Sequence, residues 1–154
     1  MDEVAFTVDA RVDPDELMAF YQAQRHPAPR SPDKLAAMLD NSDCFVTARD
    51  RNGRLIGIAR GLADGVRGYL TECKLDPTYQ GPAAVTRTDG RIEHDERGIA
   101  REMAGRVLQK LREAGCERID VIAYGTEVDF CEEIGFRRTS GAVAMSLDAS
   151  PTAA

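Results

Sequence analysis

LDPTYQGPAAVTRTDGRIEHDERGIAREM, residues 75–103, holds one pattern inside another. With 82–96 removed it reads LDPTYQG-RGIAREM, the end of a strand, a glycine-containing turn and the start of a helix. A helix start presents unpaired backbone N–H groups and the positive end of a dipole, a seat suited to a pyrophosphate, and glycines let the backbone approach such an anion closely. The inserted piece contains VTRTDGRIEH, with Asp89-Gly90 at its centre and β-favouring residues on both sides. That predicts an extra β-hairpin at about 82–96. Its residues are mostly polar or charged with little to bury, so it is expected to project into solvent or over the site.

Upstream, VAFTVDARV (4–12) alternates as a first strand. Asp13-Pro14-Asp15-Glu16 joins a cap, a proline suited to the first helical position and two acids, and Leu17, Phe20 and Tyr21 give that helix its apolar stripe. Ser31-Pro32-Asp33 repeats the start signal, with Leu35, Met38 and Leu39 facing inward. CFVTAR, the turn Asp50-Arg51-Asn52-Gly53 and RLIGIARGLA form a hairpin, and YLTECKLD (69–76) a third strand of the meander. Downstream, Ile99, Met103, Val107, Leu108 and Leu111 mark an amphipathic helix ending near Gly115. RIDVIAY (118–124) suits a buried strand, TEVDFCEEI a short helix, and FRRTSGAVAMSLD (136–148) a last strand. The predicted order is β-α-α-β-β-β-α-β-α-β, an α/β (α+β) fold with a mixed, mostly antiparallel central sheet flanked by helices. One domain over 1–148 is expected, with 149–154 a disordered tail.

A chain of 154 residues is long enough to bury a sizeable core. Its net charge of −6 argues against a nucleic-acid binder, which needs a basic face for phosphate contacts. No apolar run is long enough to span a bilayer and the acidic N-terminus is no signal peptide, so a cytoplasmic protein without membrane association is expected. Cys44, Cys73, Cys116 and Cys131 include no C-x-x-C pair, and there are only two histidines, His26 and His94. No metal site and no disulfide are expected.

The element order, with LDPTYQG, RGIA and DFCEEIGF, resembles the GNAT superfamily of acyl-coenzyme A N-acyltransferases, over about 4–147. In that family a strand ending near V-x-P precedes Q/R-x-x-G-x-G/A at the head of a long helix. Here the matching residues are Leu75-x-Pro77, then Gln80, Gly81, Arg97, Gly98, Ile99 and Ala100, with the insertion between Gly81 and Arg97. A second landmark, an aromatic followed by Gly-Phe, is matched by Phe130-Cys131 and Gly135-Phe136.

The resemblance implies an acetyl group moved from acetyl-coenzyme A to a primary amine of a small molecule, by direct attack in a ternary complex. It implies that Gln80, Gly81 and Arg97 to Ala100 meet the pyrophosphate, and that the Leu75 backbone N–H serves as oxyanion donor. Thr126 would take the place of an asparagine that contacts the pantetheine arm. Glu72 is the candidate base, the other reading being a strand glutamate facing a basic neighbour. Cys131 stands where the family often has a tyrosine that returns a proton to the thiolate; the other reading is a buried helix cysteine. Tyr124 is a possible substitute acid or a structural tyrosine. Arg25, His26 and Arg30 lie in the loop that usually covers the acceptor, or form a solvated basic loop. A homodimer is compatible with the family. The rival is a non-catalytic GNAT-fold binding or assembly protein whose interrupted phosphate loop no longer binds coenzyme A; a third reading uses the widened loop for another acyl carrier.

Overall fold

The computed structural model describes residues 3–24, 31–80, 92, 95–125 and 127–149. Strand β1 spans Ala5–Val8, and helices α1 (Pro14–Ala23) and α2 (Pro32–Asn41) follow it. Both helices begin as their sequences dictate. The Asp13 carboxylate accepts from the Asp15 N–H at 2.9 Å and Ser31 Oγ from the Lys34 N–H at 3.3 Å, with a proline opening each helix. A meander comes next: β2 (Cys44–Arg49), β3 (Leu55–Ala63) and β4 (Arg67–Leu75). After the 3-10 turn Pro77–Tyr79 and the inserted segment come α3 (Ile99–Glu113), β5 (Arg118–Val121) and α4 (Glu127–Glu133).

The strands form one sheet in sequence order, antiparallel except for the β4–β5 pair. Antiparallel neighbours need only short turns, whereas the parallel pair needs a crossover, and α3 supplies it. Leu17, Phe20, Tyr21 and Leu35 pack against Phe45, Leu55 and Ile58 on one face. On the other, Met103, Ala104, Val107 and Leu111 of α3 meet Val46, Ala48, Ile56 and Ala59, and Phe130 and Cys131 of α4 join them. The two glycines in RLIGIARGLA permit that close approach. A Cβ at Gly57 would lie 2.8 Å from Met103 Cε, and one at Gly61 would lie 2.8 Å from Val107 Cγ1.

Two expectations need correction. The last strand, predicted over 136–148, is not formed: 136–149 hold neither helix nor strand. Val143, Met145 and Leu147 are 80 to 89% exposed. Alternation marks a segment able to line a sheet, but a strand without a partner gains neither ladder hydrogen bonds nor burial. The second concerns the insertion. Most of the hairpin predicted at 82–96 lies outside the described residues, yet Ile92 is 1% exposed and belongs to the core that contains Ile99 and Ala100. The segment is therefore anchored by an apolar side chain rather than wholly solvated.

Candidate active site

The β4–β5 pairing runs only from Arg67 opposite Arg118 to Leu70 opposite Val121. At the same level the β3–β4 register slips: Arg60 faces Glu72, Gly61 faces Leu70, and Thr71 has no partner. Such a bulge bends its strand and re-aims the residues beyond it. Past this point the two strands part, and α4 closes over the gap to leave a pocket of about 360 Å³. Glu72, Tyr124 and Cys131, the three residues expected to carry chemistry, all line it.

Glu72 is held in place. Its Oε1 accepts from the Tyr21 hydroxyl of α1 and from Arg60 Nε on β3 at 3.1 Å. The Arg60 and Glu72 side chains are only 16% and 14% exposed. Burial, and then the negative charge of Glu72, push the Tyr21 phenol well above its ordinary value, so it stays a neutral donor at physiological pH. The glutamate thus faces a basic neighbour across the sheet and also lines the pocket.

Cys131 is buried, and its thiol is pushed up to about 11, first by burial and then by Glu127. An ordinary cysteine thiol has a pKa of about 8.5. Burial therefore makes Cys131 a weaker acid than an ordinary cysteine. Tyr124 is half exposed, and its N–H donates to Glu127 Oε1 at 3.1 Å while its carbonyl accepts from the Glu127 N–H at 2.8 Å. Glu127 and the buried Lys74 also line the pocket, and neither was picked out from sequence. The signal for Lys74 was a charge in a strand otherwise reading as core.

Tyr79 and Arg97, on either side of the insertion, meet. The Arg97 guanidinium lies over the Tyr79 ring, 5.3 Å from its centroid. The Asp76 N–H donates to Ile56 O of β3, so strand alternation turns the backbone groups of Leu75 to the other side, where Leu75 O accepts from Gln80 Nε2 at 2.9 Å. Gln80 is fully buried and its N–H donates to Pro77 O, so both its side-chain amide and its backbone N–H are engaged within the fold. Gly81 and Thr126 lie outside the described residues, as do Arg25, His26, Arg30 and His94.

At the head of α3, Gly98 is the N-cap in the left-handed region, φ 72°, and offers no side chain to the helix. Asp95 does so instead. Its Oδ1 accepts from the Ala100 N–H at 2.9 Å and its Oδ2 from the Arg101 N–H at 3.0 Å. The resemblance had reserved the first of these amides for a pyrophosphate. In this arrangement the helix start already holds an anion, and a pyrophosphate could take these amides only by displacing Asp95. An acid a few residues before a helix start was the available signal.

Solved structures with the same architecture are known. A candidate acetyltransferase from Deinococcus radiodurans R1 superposes with a TM-score of 0.63 at 26% identity, over 95% of this chain and 88% of its own. A GNAT-family acetyltransferase from Streptococcus pneumoniae TIGR4 gives 0.65 at 17% identity, over 94% and 98%. This is the GNAT fold. An aminoglycoside N-acetyltransferase solved in complex with CoA shares it, with a TM-score of 0.66 at 13% identity over 96% and 97% of the two chains. No protein-family model and no curated relative matches the sequence. On the GNAT frame the insertion interrupts the loop between β4 and α3. Among the described residues no group of His, Cys, Asp or Glu could hold a metal ion, and no helix is long and apolar enough to cross a membrane.

Proposed function

We propose that the protein is an acyl-CoA-dependent N-acyltransferase that moves an acetyl group from acetyl-CoA to a primary amine of a small molecule, by direct attack in a ternary complex. The observation that carries this reading is the parting of β4 and β5 beyond Leu70 and Val121, with Glu72 and Tyr124 on the resulting pocket. N-acylation needs a neutral amine, a stabilised oxyanion and a proton for the leaving thiolate. Glu72, fixed through Oε1, takes the amine proton directly or through a water. The Leu75 N–H, turned away from β3, is the oxyanion donor. Tyr124 is favoured over Cys131 as the acid because it lines the pocket half exposed, whereas the thiol is buried.

Arg97 to Ala100 are assigned to the pyrophosphate, with Gly81 and Thr126 kept as further contacts to the cofactor. Gln80 is reassigned to hold Leu75 in position. The small-molecule acceptor is supported by the aminoglycoside acetyltransferases that share the fold, one of them in complex with sisomicin. A single cytoplasmic domain, acting without metal and able to form a homodimer, completes the proposal.

The non-catalytic reading draws on one observation, the carboxylate seated at the head of α3. Calorimetric titration of acetyl-CoA into the intact protein decides between the two. Saturable binding followed by acetylation of a small amine supports the enzyme; no binding at millimolar concentration overturns it.

A further inference from the structure

The position that the acyltransferase reading assigns to the cofactor's pyrophosphate is taken by a carboxylate of the chain itself. Asp95 Oδ1 and Oδ2 accept from the Ala100 and Arg101 N–H groups at 2.9 and 3.0 Å, and its carbonyl accepts from the Gly98 N–H at 3.0 Å. The contact is built into the fold. Three residues upstream, Ile92 is sunk in the core beside α3, and the Arg97 guanidinium closes over Tyr79. The charge of Asp95 also reaches the pocket wall: after burial, it is the largest influence raising the pKa of Cys73, whose Sγ donates to Ala100 O at 3.8 Å.

We propose that Asp95 is an internal substitute for the pyrophosphate of acetyl-CoA, and that the cofactor binds only as Asp95 leaves the first turn of α3. This rests on the acyltransferase reading of the site. Each of these amides has one hydrogen to donate, and two anions at contact distance in a partly buried place repel strongly. Binding is therefore an exchange in which two charge-assisted hydrogen bonds break as others form. The apparent affinity equals the intrinsic one reduced by the fraction of molecules with Asp95 displaced. Because the linkage is reciprocal, bound cofactor disfavours the Asp95 contact by the same factor that the contact weakens cofactor binding.

The test titrates acetyl-CoA calorimetrically into the intact wild-type protein, Asp95→Asn and Asp95→Ala, with circular dichroism confirming the fold of each. Asp95→Asn keeps the size and one acceptor oxygen, so the turn persists without the charge. The expected result is binding tighter than wild type by roughly tenfold or more in either folded variant. The wild-type amide resonances of Ala100 and Arg101 should also shift on titration. If the wild type binds and neither folded variant binds more tightly, the role of Asp95 is overturned while the acyltransferase reading stands. If neither the wild type nor a folded variant binds at millimolar acetyl-CoA, the acyltransferase reading is overturned and this proposal with it.

Discussion

The Tyr21 hydroxyl donates to Glu72 Oε1, joining the first helix to the strand that floors the pocket. The same oxygen accepts from Arg60, so one carboxylate fastens α1, β3 and β4 together. Glu72→Gln removes the charge that offsets a largely buried guanidinium and should cost about 2–4 kcal/mol of stability in urea unfolding. It should also depress turnover while acetyl-CoA affinity stays near that of the wild type. Unchanged turnover in a folded variant removes Glu72 from the chemistry.

Tyr21→Phe should cost ~1–2 kcal/mol through the lost charge-assisted hydrogen bond. It should also change the alkaline limb of the stability curve. The folded phenol is raised above its ordinary value of 10.0, so above that pH the unfolded chain releases a proton that the folded chain retains. The resulting stabilisation is fully present below pH 10 and is lost as pH rises beyond it. Chemical unfolding between pH 8 and 11 should show a steeper decline in the wild type than in Tyr21→Phe. Parallel curves would remove Tyr21 as the cause.

Cys131→Ser should retain most of the activity, whereas Tyr124→Phe should reduce kcat at least tenfold, since general-acid groups contribute roughly 10²–10⁴-fold. With its thiol pushed up to about 11 and its side chain buried, Cys131 should resist iodoacetamide at pH 7.5 in the folded protein. Rapid alkylation assigned to Cys131 by peptide mapping would contradict this environment.

Ile92→Ala should destabilise the fold by ~2–4 kcal/mol, as expected for a fully buried aliphatic side chain. A solvated hairpin would instead give a change near zero. For the same reason, excising 82–96 should lower the melting temperature, because it removes both Ile92 and the Asp95 cap of α3.

Gly61→Ala should cost about 1–3 kcal/mol, because the new methyl would lie 2.8 Å from Val107 Cγ1 and 3.2 Å from Leu111 Cδ1. Gly105→Ala, where no atom lies within 4 Å of the new Cβ, serves as the control and should not destabilise.

The helix starts at Asp13 and Ser31, the meander and the long amphipathic helix were legible because each is encoded locally, by a cap, a turn or a period. The last strand was misread because alternation at Val143, Met145 and Leu147 encodes a capacity to pair, while pairing itself depends on a neighbour. Glu72, Tyr124 and Cys131 were picked out from their places on β4, after β5 and beside the Phe130 landmark. Their meeting in one pocket depends on the bulge at Thr71, which leaves no mark in composition or period. Asp95 went unnoticed because its function arises from contact with α3. The insertion hid it by reading, residue by residue, as a polar hairpin.

The parting of β4 and β5 also divides the molecule by cooperativity. Strands β2 to β4 are tied by antiparallel ladders of six and seven pairs, whereas β5 joins them through four parallel pairs and is nowhere fully buried. Segments with few ladder bonds and little burial open at lower free energy than the global transition. Amides of Arg118–Val121 should therefore exchange with deuterium ahead of those in β2 and β3. The pocket wall carrying Tyr124 then belongs to a separately opening unit, while Glu72 and the core residue Cys131 remain with the part that opens last.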